Sequence, residues 1–180
     1  MQPLTTPRLV LRDFSPNDAP AVLEIHQHPD LARFMPHAAL TDLDGARTRI
    51  DEFRVEEPPG LGWWCVALRD GPVIGAVLLK DIPGSGGRPN DDVQIGWRQG
   101  ARHTGHGYMT EAARAVLRHG FDDLGLERII AVVDLENHPS QRICARLGMT
   151  PLGHTCAYYD EELELFEMSR PKSASRPSNP

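Results

Sequence analysis

A chain of 180 residues with 40% hydrophobic and 24% charged side chains is large enough to bury the core of one ordinary domain without disulfide or metal staples. Its formal net charge of −6 argues against a broad phosphate-binding surface for nucleic acid and suits a basic or amine-bearing acceptor. No apolar run approaches the roughly 18 residues that span a bilayer, and Met1-Gln2-Pro3-Leu4-Thr5 lacks a charged-then-apolar leader, so the expected location is cytoplasmic. The three cysteines (Cys65, Cys144, Cys156) share no disulfide or metal spacing and read as reduced thiols. The eight histidines have no carboxylate or cysteine cluster beside them, so no metal is expected.

In chain order, residues 8–12 alternate charged and apolar groups and read as a first strand. Ser15-Pro16-Asn17-Asp18 starts a helix with a capping serine and a first-turn proline, and Ala21, Val22 and Ile25 give it an apolar stripe that His28-Pro29-Asp30 ends. Leu43, Ala46, Ile50 and Phe53 mark a second helix over about 42–56, stopped by Pro58-Pro59-Gly60. Strands follow at 63–68 and 73–82 around Asp70-Gly71-Pro72, then a flexible excursion at 83–89, then a fourth strand at about 92–97. A third helix spans 108–124 and is terminated by Gly125, and the Ile/Val-rich stretch 128–133 reads as a central fifth strand. A short helix at 139–147 closes on Gly148, and 150–159 with 163–169 form a final hairpin. Residues 171–180 are Pro-, Ser- and Lys/Arg-rich and are expected to be disordered, leaving one domain over 1–170. The order of elements predicts a mixed α/β or α+β sheet with helices packed on it.

The segment Arg102-His103-Thr104-Gly105-His106-Gly107 carries a strand into a helix N-terminus. The first N–H groups of such a helix point outward unpaired and the dipole adds positive potential, while Gly105 and Gly107 leave room for phosphate oxygens to approach the backbone. It lacks the Gly-Lys-Ser/Thr of a P-loop and the third glycine of a dinucleotide-binding fingerprint. On spacing alone, an anion site and a plain structural turn are equally open.

The same residues, Arg102-x-x-Gly105-x-Gly107 followed by Tyr108-Met109-Thr110-Glu111-Ala112, resemble the acyl-CoA motif of the GNAT superfamily of N-acetyltransferases. Thr6-Pro7-Arg8-Leu9-Val10-Leu11-Arg12, Asn137-x-x-Ser140 and Leu147-Gly148-Met149 resemble its RimJ/RimL-like group of ribosomal-protein N-terminal acetyltransferases, and the match runs in order over residues 6 to about 170. The resemblance implies an α+β acyl-CoA N-acyltransferase fold: a mixed, mostly antiparallel sheet of about seven strands, the fourth and fifth splayed, flanked by about four helices. It implies acetyl-CoA as co-substrate, with Ile95, Gly96 and Trp97 pairing through backbone with the pantetheine arm. Arg102, His103, Thr104, Gly105, His106, Gly107 and Tyr108 would wrap the pyrophosphate, and Asn137 and Ser140 would bond the pantetheine end. A homodimer is the family habit.

Acetyl transfer to an amine needs a neutral amine, a polarised thioester carbonyl and a proton for the departing thiolate. Superfamily members often carry a glutamate base two residues before Gly96, where this chain has Gln94. Asp92, two residues earlier on the same strand face, is the nearest candidate base, with a solvated strand start as its alternative. The tyrosine that many members place seven residues after the asparagine is Cys144 here, so Ser140, one turn earlier on the same helix face, is the candidate proton donor to sulfur. Trp63, Trp64 and Trp97 are candidates for the acceptor pocket, with at most one of the adjacent pair facing it. The expected function is transfer of acetyl to a primary amine through a ternary complex; a binding module with little turnover is the alternative that Gln94 keeps open.

Overall fold

The computed structural model describes residues 2–55 and 57–170, so the tail at 171–180 lies outside the described residues. The strands are β1 (Leu4–Thr5), β2 (Leu9–Arg12), β3 (Gly62–Leu68), β4 (Val73–Asp81), β5 (Val93–Gln99), β6 (Arg128–Asp134), β7 (Thr150–Thr155) and β8 (Leu163–Ser169). The helices are α1 (Ala19–His26), α2 (Pro29–Phe34), α3 (Leu43–Phe53), α4 (Tyr108–Arg118) and α5 (His138–Leu147). The strands form a single sheet in the order β1-β2-β3-β4-β5-β6-β8-β7, antiparallel throughout except for the parallel neighbours β5 and β6. This is the expected mixed, mostly antiparallel sheet with one strand and one helix more than the sequence reading.

Side-chain alternation along the central strands builds two cores. Val93 and Ile95 of β5 and Ile129, Ala131 and Val133 of β6 pack with Met109, Ala113 and Val116 of α4 and with Cys144 and Leu147 of α5. Cys65 of β3 and Ala76 of β4 face the other way, onto Val22 of α1 and Ala46, Ile50 and Phe53 of α3. Each fully buried aliphatic side chain contributes about 1.5–3 kcal/mol, so the two layers together hold the sheet rigid beneath the loops.

Local chemistry sets the helix ends. Ser15 and Asp18 form a reciprocal capping box before α1, and Asp42 Oδ1 accepts the Gly45 N–H at 2.8 Å to open α3. His28-Pro29-Asp30 ends α1 as read from sequence, since α1 stops at His26, and it also starts α2, which the sequence reading lacks: Pro29 occupies the first turn and His28 Nδ1 accepts the Asp30 N–H at 3.0 Å. The third predicted helix continues past α4 as a π-helical turn over His119–Asp123, ended by Gly125 at φ +70°. Gly120 in that turn lies so close to β6 that a Cβ would come 2.7 Å from Ile129 Cδ1.

The 83–89 excursion is held rather than loose. Ser85 N–H donates to the Ala157 carbonyl (2.8 Å), Gly86 N–H to Asp160 Oδ1 (2.7 Å) and Asp160 N–H to Ser85 Oγ (2.9 Å). These bonds tie it to the turn between β7 and β8, where Tyr159 and Asp160 adopt left-handed φ values of +59° and +58°. Such strain in non-glycine residues persists only where surrounding contacts over-determine it. Among the described residues no helix is long and apolar enough to cross a membrane.

Candidate active site

β5 and β6 share one registered pair, Gln94 with Ile130, while β5 stays paired with β4 through Gln99. Beyond that pair the two parallel strands diverge, so the β6-facing backbone edge of Ile95, Gly96 and Trp97 has no strand partner. A strand edge whose N–H and C=O groups are unpaired accepts an extended polar chain as a further strand would. The divergence opens a groove of about 130 Å³ between Trp97 and Gln99 on one side and Asn137, Pro139, Ser140 and Ile143 on the other. Leu31 and Phe34 of α2 also line this groove, and Arg33 Nη2 of the same helix pairs with Glu136 Oε2 at 2.5 Å.

At the end of β5 the chain makes a 3-10 turn over Ala101–His103 and reaches α4 through Gly105 at φ +81° and Gly107 at φ +75°. A Cβ on Gly105 would meet nothing within 4 Å, and one on Gly107 only Arg8 Nη2 at 3.8 Å. The glycines therefore serve the backbone conformation and leave open space in front of it. Gly107 is the N-cap of α4 and supplies no side-chain cap, so the first N–H groups of the helix face that space. These features fit a bound diphosphate. Gln99 Nε2 donates to the His103 carbonyl (2.7 Å), Thr104 Oγ1 to the Ala101 carbonyl (3.0 Å), and the His106 ring stacks on Tyr108 with centroids 5.4 Å apart. Arg102 is exposed, with Nε 3.3 Å from Glu24 of α1.

The sequence reading missed the anchor of this loop. Arg8 lies with its guanidinium 4.6 Å over the Tyr108 ring, donates to the His106 carbonyl at 3.1 Å and pairs with Glu111 at 2.6 Å. Thr6 Oγ1 donates to the same carboxylate at 2.6 Å. Partial burial raises the Glu111 pKa, but the Thr6 and Arg8 hydrogen bonds outweigh it and hold the group below its ordinary 4.5. A depressed folded-state pKa stabilises the fold above 4.5 and loses that effect as pH falls from 4.5 through the lower native value. Glu111→Gln is therefore expected to lower the thermal midpoint at neutral pH, and the gap from the parent protein should close on acidification. A gap that persists in acid would show that the carboxylate charge is not what holds the loop.

Asn137 caps α5, its Oδ1 accepting the Ser140 N–H at 3.2 Å, which leaves its amide N–H₂ free to donate. Among the described residues nothing hydrogen-bonds the Ser140 hydroxyl, which borders the groove. Cys144 is fully buried one turn on, and burial pushes its thiol up to about 12, the state of an inert packing residue.

Asp92 lies just before β5, at the closed end of the strand pair. Its two carboxylate oxygens are engaged, one by Arg128 of β6 and the other by the Tyr158 hydroxyl at 2.6 Å. Gln94 is buried and its amide meets the Tyr159 hydroxyl. Burial raises the Tyr159 pKa, so the phenol keeps its proton. Trp64 is wholly buried in the core and Trp63 stacks on Phe53 at 4.2 Å, so of the three tryptophans only Trp97 borders the groove. No cluster of three or more potential metal ligands occurs among the described residues.

The family model of the acetyltransferase (GNAT) domain matches residues 8–150. The chain is 31% identical over 147 residues to the uncharacterized N-acetyltransferase YnaD of Bacillus subtilis (strain 168), covering 81% of each. The crystal structure of an acetyltransferase (GNAT family) from Bacillus anthracis has a TM-score of 0.78 at 23% identity, over 94% of this chain and 99% of that one. RimL, a ribosomal L7/L12 α-N-protein acetyltransferase solved with coenzyme A, has a TM-score of 0.75 at 15% identity, over 93% and 98%. At these identities the two structures speak for the fold alone, and the sequence matches carry the kinship. The chain belongs to the GNAT acetyltransferase family and is an N-acetyltransferase that draws its acetyl group from acetyl-CoA.

Proposed function

We propose that the acceptor is a primary amine, either a protein N-terminal α-amine or a small-molecule amine, acetylated by direct attack within a ternary complex. The observation that carries this reading is the divergence of β5 and β6 with the unpartnered Ser140 hydroxyl on one wall and the 102–108 loop at its mouth. Residues 1–170 act as one acetyltransferase domain of RimJ/RimL-like type, acting in the cytoplasm and without nucleic acid; the family habit favours a homodimer.

In this reading the unpaired edge of Ile95, Gly96 and Trp97 and the Asn137 amide orient the pantetheine arm. Arg102 to Tyr108 hold the diphosphate through backbone N–H groups. The amine lone pair attacks the thioester carbonyl; the developing oxyanion is held by a backbone N–H of β5. The ammonium formed by the attack gives its proton to solvent; as the C–S bond breaks, Ser140 donates its proton to sulfur and regains one from solvent, so that the net transfer is from nitrogen to sulfur. Positioning supplies most of the acceleration, since effective molarities in such sites are large.

Asp92 is the base expected from sequence, and its geometry weighs against that role. A carboxylate whose two oxygens already hold Arg128 and Tyr158 is a weaker base and serves better as a clamp across the closed end of β5 and β6. An α-amine of pKa near ~8 is roughly a tenth neutral at pH 7 and needs little help, whereas a lysine amine near ~10.4 needs a strong base. The site as built therefore favours α-amines.

The test is thiol release from acetyl-CoA across a panel of N-terminal peptides, free amino acids and ε-amines. The expected result is turnover with α-amines and little with ε-amines. Asp92→Asn should lower kcat by less than about tenfold, well short of the ~10²–10⁴-fold that a general base contributes. A larger fall would restore Asp92 as the base, and the absence of thiol release with every amine would overturn the reading.

A further inference from the structure

On the α1/α3 face of the sheet, Gln94, Gly96 and Arg98 succeed one another along β5 at every second residue. Arg98 is packed under the two helices, its guanidinium 4.8 Å from the Trp63 ring and 5.7 Å from that of Phe53. Arg98 Nη1 lies 3.1 Å from His26 Nε2, and His26 Nδ1 lies 2.6 Å from the Ala38 carbonyl. That carbonyl can only accept, so Nδ1 carries the proton and Nε2 receives the hydrogen bond from Arg98. Burial lowers the His26 pKa to about 4, keeping the ring neutral.

Arg98 thus rests on a neutral partner. Among the described residues no carboxylate forms an ion pair with it; of the two acidic groups that act on it, Tyr159 is a phenol that keeps its proton and Glu52 is held by Arg49 at 3.2 Å. Arg49 Nε is itself buried without a partner. Two guanidinium groups share one carboxylate, a local excess of positive charge in a chain of formal net charge −6. A guanidinium has five N–H donors and His26 uses one. Among the described residues no Arg98 nitrogen is fully buried without a partner, so the remaining donors are not sealed from solvent, and the residue also lines the groove with Trp97 and Ser140. Partly buried cations held this way are expensive unless an anion completes them.

We infer that Arg98 recognises an anion in the acceptor site, and that the acceptor is a primary amine bearing a carboxylate close to the amino group. The inference rests on the reading that the thioester lies beside Gly96. Successive residues on one strand face stand about 6.5–7 Å apart, which puts the guanidinium within reach of a carboxylate a few bonds from an amine attacking there. Arginine suits such a group because it binds carboxylate through two parallel hydrogen bonds. Two sources supply this chemistry: a free amino acid, or a peptide N-terminus with an acidic first side chain.

The experiment compares kcat/KM, by thiol release, within two pairs: L-leucine against L-leucinamide, and amidated Asp-Ala against amidated Asn-Ala. The parent protein should prefer the acidic member of one pair by at least tenfold, and that pair identifies the source. Arg98→Met, which keeps an apolar stem on Trp63, should lower the acidic member at least tenfold more than the amide. No preference in either pair, or an equal loss for both members, overturns the inference and leaves Arg98 a packing residue. Calorimetric binding of the acetylated product of each acid, N-acetyl-L-leucine and amidated N-acetyl-Asp-Ala, in the presence of coenzyme A, reads the same point without turnover. Weaker binding of either to Arg98→Met supports the site, and unchanged or absent binding of both sinks it. Failure of thiol release with every amine would count against the acetyltransfer reading, while the product-binding result would still decide Arg98.

Discussion

Gly107→Val is expected to abolish acetyl-CoA binding while the protein still folds. Gly107 holds φ +75° at the N-cap of α4, a conformation that a β-branched residue adopts only under strain of about 1–3 kcal/mol. Added atoms meet no backbone, since the nearest contact of a Cβ is Arg8 Nη2 at 3.8 Å, so the cost is conformational and not a clash in the core. A domain stable by about 5–15 kcal/mol tolerates that. The valine would stand over the first N–H groups of α4, in the space assigned to the diphosphate, and any relaxation of the loop would turn those groups away. Affinity should fall at least 100-fold, equivalent to about 2.7 kcal/mol. Calorimetric titration with acetyl-CoA, beside a thermal melt of the same sample, checks both halves. Unchanged affinity in a folded variant would falsify the assignment of the loop.

The second large effect is expected at Ser140. Replacing it with alanine keeps the N–H that Asn137 Oδ1 accepts at 3.2 Å, so α5 stays capped and stability should change by less than about 0.5 kcal/mol. What disappears is a hydroxyl with no partner elsewhere among the described residues. A donor to the departing thiolate contributes about 10²-fold or more, so kcat should fall by about that factor. KM for acetyl-CoA should move little, because the interaction is made as the C–S bond breaks and not in the ground state. A kcat within about threefold of the parent protein would assign the proton to water instead.

Much of this site was legible because its signals are local. Gly105, Gly107 and the helix after them announce a strand-to-helix turn within a dozen residues, and Asn137 and Ser140 are one helix turn apart. Gly125 and Gly148 end their helices as read, at φ +70° and +86°. His28-Pro29-Asp30 ended α1 as read but hid α2, because proline before a polar residue ends one helix and starts the next with equal ease. The capping bond from Asp30 N–H to His28 Nδ1 decides for α2, and with it for the residues that line the groove opposite α5. The 83–89 excursion misled for a similar reason: glycine and proline promise freedom, while its partners Ala157 and Asp160 lie some seventy residues away.

By itself the sequence determined the layering, the family and the strand-to-helix turn at Gly105 and Gly107, since periodicity, glycine position and helix capping act over a few neighbouring residues. The tertiary structure alone decided which groups are free to act. β6 and the β7–β8 turn bring Arg128 and Tyr158 to the two carboxylate oxygens of Asp92, contacts its place in the strand pattern does not announce. Arg8 passed from strand pattern to loop anchor through Glu111, 103 residues away. Arg98, unremarkable in the sequence, became a cation with no carboxylate ion pair among the described residues when α1 and α3 closed over it. Charge and hydrogen bonding depend on partners distant in the chain, and only the closed sheet brings those partners within a few ångströms.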